Sequence, residues 1–88
     1  MQLSIASRAA DAPSRAMNRE LNGIRTALSG ARARLNALCR AEQLAYENMN
    51  GAMQASRRAD QMLDQVCAME YMMSDLQRMI DRLERLAS

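Results

Sequence analysis

The side chains that could carry chemistry are few, and their types argue against catalysis. The chain has no His, which removes the commonest general base and the commonest metal ligand. Its two cysteines, Cys39 and Cys67, are too few for a disulfide framework and have no His beside them to build a zinc site, so both read as small, half-buried core filler. No Gly-rich phosphate loop is present, and no Ser or Cys nucleophile stands next to a plausible base. An enzyme is therefore not expected, and neither is a cofactor or a metal. What remains is charge. All 12 basic residues are Arg, set against 10 acidic ones for a net charge of +2; guanidinium forks suit carboxylates on a neighbouring helix. The arginines are interleaved with acids over most of the chain and no aromatic platform accompanies them, so nucleic acid is not the expected partner even though Arg8, Arg15, Arg19, Arg25, Arg32, Arg34 and Arg40 crowd the first half.

The elements that must position these groups are helices. Ala, Arg, Leu, Met, Gln and Glu dominate, Phe and Trp are absent, and the aromatics are Tyr46 and Tyr71 alone, a composition that favours helix over sheet. Residues 1–12 read as an N-terminal arm, and Asp11, Pro13 and Ser14 supply cap-and-proline chemistry for a helix start. Met17, Leu21, Ile24, Leu28, Ala31, Leu35 and Leu38 then recur at steps of four and three, the spacing of a coiled-coil seam, which Glu42 interrupts before Ala45 and Met49. The turn chemistry is concentrated in residues 48–51, where Gly51 can adopt the left-handed conformation and Asn48 or Asn50 can cap the next helix. A second seam follows through Ala59, Met62, Val66, Met69, Met73, Leu76, Ile80, Leu83 and Ala87. The spacing predicts an all-α domain over residues 13–88, a long antiparallel helical hairpin or two-helix coiled coil. Its helices run from about 14 to 47 and from about 52 to 87, and Gly23 and Gly30 mark places where a neighbouring backbone could come close.

Charge supports folding back over one continuous rod. With the hairpin centred near residues 49 and 50, residues whose numbers sum to about 99 stand level. Arg15 then meets Glu84, Arg19 meets Asp81, Glu20 meets Arg78, Arg25 meets Asp75, Arg34 meets Asp64, Arg40 meets Asp60, and Glu42 meets Arg57 or Arg58. Such pairs select register more than they stabilise. The apolar faces are unequal: beside its seam the second helix carries another stripe, Met72, Leu76, Met79, Leu83 and Leu86. One partner helix cannot cover both stripes. With Met69, this stripe is the expected interface with a further helical chain, itself or another protein, completing a four-helix bundle in a dimer. Met suits a variable contact of this kind, and Met53, Met62, Met69, Met72, Met73 and Met79 all fall in the second half. No run of about 18 apolar residues is present for membrane insertion, and the arm lacks the continuous apolar stretch of a secretory signal, so the chain is expected to be made in the cytosol.

The turn Met49-Asn50-Gly51 and the segment Tyr71-Met72-Met73-Ser74-Asp75 carry a family likeness. The chain resembles the small helical-hairpin proteins of type VII secretion, the WXG or Esx-like group, and the related small partners of LXG effectors. The turn ends in Gly as that family's Trp-x-Gly turn does, with Met49 in place of Trp, and the second segment matches the family's Tyr-x-x-x-Asp export signal, placed further inside the helix than usual. The resemblance implies a role as helical partner or chaperone, secretion without a cleaved signal peptide, and Tyr71 and Asp75 as part of an export signal displayed on a heterodimer. Two alternatives stand beside it: a subunit or chaperone of another secretion or phage assembly apparatus, and a small regulatory or inhibitor protein.

Overall fold

The structure, a computed structural model, describes residues 14–87; the arm, Asp11 and Pro13 lie outside them. Three helices follow one another: α1 (Arg15–Glu47), α2 (Gly51–Gln54) and α3 (Arg57–Ala87). The long helices α1 and α3 pack against each other as an antiparallel hairpin, and the short α2 sits against α3 at the corner. No strand occurs among the described residues.

The helix starts follow side-chain chemistry. Ser14 precedes α1 with an extended backbone, and its Oγ accepts a hydrogen bond from the Met17 N–H at 3.1 Å. Asn50 does the same for α2, its Oδ1 accepting from Met53 N–H at 2.9 Å, and Ser56 Oγ accepts from Ala59 N–H at 3.2 Å at the start of α3. Each satisfies one of the amides that a helix N-terminus leaves unpaired. The expected turn at 48–51 is therefore a longer corner, and the second long helix begins at Arg57 instead of about 52. Gly51 is not left-handed, since no described glycine has positive φ; it is the first residue of α2.

This longer corner moves the pivot, and with it every cross-helix pairing. Arg25 Nη1 lies 3.9 Å from Glu84 Oε1, and Gln43 Nε2 donates to Glu70 Oε1 at 3.3 Å. Level residues thus sum to about 110, not 99, and the charge pairs expected from a pivot at 49 and 50 are displaced by more than a helical turn. Asp75, expected opposite Arg25, instead pairs along its own helix with Arg78.

The seam of α3 is the expected one: Ala59, Met62, Val66 and Ile80 are buried, and Met69, Met73, Leu76, Leu83 and Ala87 are half-buried. On α1 half of the expected seam is displaced. Leu21, Leu28 and Leu35 face α3, but Met17, Ile24, Ala31 and Leu38 are exposed, and their place is taken by Asn18, Arg25, Arg32 and Cys39, each one residue further on. The observed line continues through Glu42, Tyr46 and Met49, all half-buried. At the corner Gln54 Nε2 donates to Tyr46 O at 3.2 Å, tying α2 to the end of α1, where Cys39, Tyr46 and Met49 face inward; a heptad seam keeps that angle down the helix.

Gly23 and Gly30 lie on the outer surface of α1, and a Cβ built on either meets no atom within 4 Å, so they do not mark a close backbone approach within this chain. Gly23→Ala and Gly30→Ala are each expected to stabilise the fold by about 0.5–1 kcal/mol, read as a rise in thermal midpoint by far-UV circular dichroism. A fall at either site would mean that its open space is filled in the working assembly.

Candidate helix-docking face

The two long helices give the hairpin two unlike sides. On one side stand Asn22, Ser29, Asn36 and Gln43 of α1 with Glu70, Gln77 and Glu84 of α3, and the cross-helix contacts Gln43–Glu70 and Arg25–Glu84 lie here. On the other side, Met17, Ile24 and Leu38 of α1 and Met72, Met79 and Leu86 of α3 are each between 43% and 59% exposed. In an antiparallel coiled coil the residue that precedes the first seam position of each heptad lies on the same side in both helices, and these six occupy that position. A groove of about 290 Å³ lined by Ile24, Leu28, Met79, Arg82, Leu83 and Leu86 confirms that the two stripes meet along one side. Single exposed apolar residues need no explanation, but two aligned stripes form a contiguous patch of the kind that marks a contact surface.

The six residues expected at an interface divide between two environments. Met72, Met79 and Leu86 are on the exposed side, while Met69, Leu76 and Leu83 lie half-buried in the seam against α1. The contribution of α1, Met17, Ile24 and Leu38, is not apparent from the sequence, whose periodicity places those residues in the seam. Spacing alone does not separate the two lines, since Met17, Ile24, Ala31, Leu38 and Ala45 repeat every seven residues just as Asn18, Arg25, Arg32, Cys39 and Tyr46 do.

The inward rotation of α1 leaves polar atoms poorly served. Asn18 Oδ1, Arg32 Nε and Glu42 Oε2 are buried without a hydrogen-bond partner. Arg25 avoids this by laying its aliphatic stem across the seam and reaching Glu84. Cys39 is buried in the seam, whereas Cys67 is exposed on the outside of α3 and is not core filler; both are free thiols. Tyr71 is 75% exposed, and Asp75, one turn further along, is exposed beside Arg78. Among the described residues no three His, Cys, Asp or Glu side chains are grouped to hold a metal ion, and no helix is long and apolar enough to cross a membrane.

No family model, curated protein or solved structure matches this chain.

A buried donor without a partner costs about 1–3 kcal/mol. Arg32→Leu removes one and adds apolar contact, so thermal melts at matched concentration should show it more stable than the parent by about 1 kcal/mol or more. A melting temperature at or below the parent's would indicate that Arg32 is satisfied in solution.

Proposed function

We propose that this protein is a helical-hairpin interaction module: it offers one apolar side to another helical chain and completes a four-helix bundle with it. The observation that carries this reading is the unequal division of exposed apolar residues: Met17, Ile24, Leu38, Met72, Met79 and Leu86 stand on one side, whereas the other bears amides and carboxylates with Leu63 as its one large exposed hydrophobe among the described residues. A hairpin that worked alone would gain solubility from polar residues on both sides. The intramolecular core is also thin, its buried members being Cys39, Ala59, Met62, Val66 and Ile80 among the described residues, and docking against a second pair of helices would thicken it.

The setting we favour is type VII secretion, with the protein as partner or chaperone of a helical effector or paralogue. The support is the resemblance of Met49-Asn50-Gly51 and Tyr71–Asp75 to that family's turn and export signal, together with the exposure of Tyr71 and Asp75 one turn apart on α3. Such a signal would have to be displayed on the assembly's surface, and both side chains lie clear of the seam.

Photo-crosslinking in cells tests the docking reading. A crosslinker at Ile24 or Met79 is expected to capture a helical chain, and one at Ser29 or Gln77, on the polar side, is not; equal yields from the two sides would overturn it. For the secretion setting, Tyr71→Ala and Asp75→Ala are expected to abolish export while leaving the crosslinks unchanged. Export that persists in both variants would remove that setting and leave the docking role standing.

A further inference from the structure

We infer that the chain docked on the apolar side is a second copy of this protein, related by a two-fold axis parallel to the helices. The inference rests on the docking reading above and adds the identity and orientation of the occupant.

Charge selects the orientation. An axis parallel to the helices lays α1 of one copy over α3 of the other and keeps every residue at its own height, so residues whose numbers sum to about 109 or 110 come opposite each other between copies, as Arg25 and Glu84 do within one. The outer flank of the apolar side is formed by Ala27, Arg34 and Ala41 on α1 and by Ala68, Asp75 and Arg82 on α3, all exposed. Across the axis Arg34 stands opposite Asp75 of the second copy, Ala41 opposite Ala68, and Ala27 opposite Arg82. The two-fold generates the Arg34–Asp75 contact twice and opposes no like charges along either flank. The small residues Ala27, Ala41 and Ala68 also let the helices approach closely. Opposite charges flanking an apolar strip are what selects orientation in helical bundles.

Area allows it: the apolar side runs from Met17 to Leu38, about 32 Å at 1.5 Å per residue, and is about 20 Å wide where α1 and α3 lie side by side. The resulting footprint of about 600 Å² per copy is at the low end of what specific complexes bury on each partner. The overhang favours the same axis. With level residues summing to about 110, the first turns of α1, bearing Met17 and Leu21, extend past Ala87 at the end of α3. A parallel axis brings the two overhangs together at one end of the bundle, where they cover each other. An axis perpendicular to the helices would leave them at opposite ends.

Sedimentation of the purified full chain over roughly 1–100 µM tests the inference, since a homodimer must dissociate on dilution or resist it as a discrete species. A dimer is expected. Ile24→Glu with Met79→Glu should yield a helical monomer. Arg34→Asp should weaken dimerisation by about tenfold or more, because it opposes two pairs of carboxylates, and Arg34→Asp combined with Asp75→Arg should restore it. A dimer indifferent to all of these changes overturns the inference, as does a monomer across the range. A chain that dimerises only when residues 1–13 are removed also overturns it, with the arm as occupant.

Should the chain prove monomeric, thiol labelling of Ile24→Cys and Met79→Cys in a background lacking Cys39 and Cys67 separates the two levels of the argument. Fast labelling at both positions keeps the docking side and assigns it to a different protein. Slow labelling means that the chain covers this side itself, and the docking reading falls with the inference.

Discussion

The corner between the long helices governs the rest of the molecule. Residues 48–56 are longer than a tight turn, capped by Asn50 and Ser56 and tied to α1 through Gln54 and the Tyr46 carbonyl. Those few bonds decide how α1 is rotated when it leaves the corner. Because a heptad seam repeats every seven residues, an angle chosen at Cys39, Tyr46 and Met49 is inherited by Arg32, Arg25 and Asn18 far below. The polar residues of the seam and the apolar residues on the exposed side are two results of one rotation.

That rotation explains where sequence reasoning succeeded and where it failed. The seam of α3 was legible because its apolar residues hold one line from Ala59 to Ala87, and the second stripe joins it only from Met72 onward. On α1 the apolar residues centre between Met17, Ile24, Leu38 and the leucines Leu21, Leu28 and Leu35. Periodicity alone places the seam there, about 50° from the side that packs. Leu21, Leu28 and Leu35 belong to both lines, which is why they were read correctly and their companions were not. The charge register failed for a different reason. Level pairing depends on the residue count of the corner, and a four-residue helix hidden in Gly51–Gln54 has no periodicity long enough to be seen. Of the candidate site, the α3 stripe at Met72, Met79 and Leu86 could be read directly, but its α1 counterpart required knowing the rotation.

The methionines fit this division of labour. Met62, Met69 and Met73 fill the seam, where an unbranched side chain can accommodate Arg and Glu neighbours across the helix pair. Met17, Met72 and Met79 lie on the exposed side, where the same flexibility would suit the proposed contact with another helical chain. A hairpin with five buried residues among those described holds its helices together with modest energy, and the proposed covering of its apolar side would firm the seam as well.

The placement of the two thiols turns the chain into its own gauge of that coupling. Cys39 is sealed between α1 and α3 midway along the seam, and Cys67 stands in solvent on the far surface of α3. Alkylation at Cys67 therefore clocks the reagent, while alkylation at Cys39 proceeds only as fast as the helices part. The ratio of the two rates measures breathing of the pair inside a single molecule, with no label added and no reference protein.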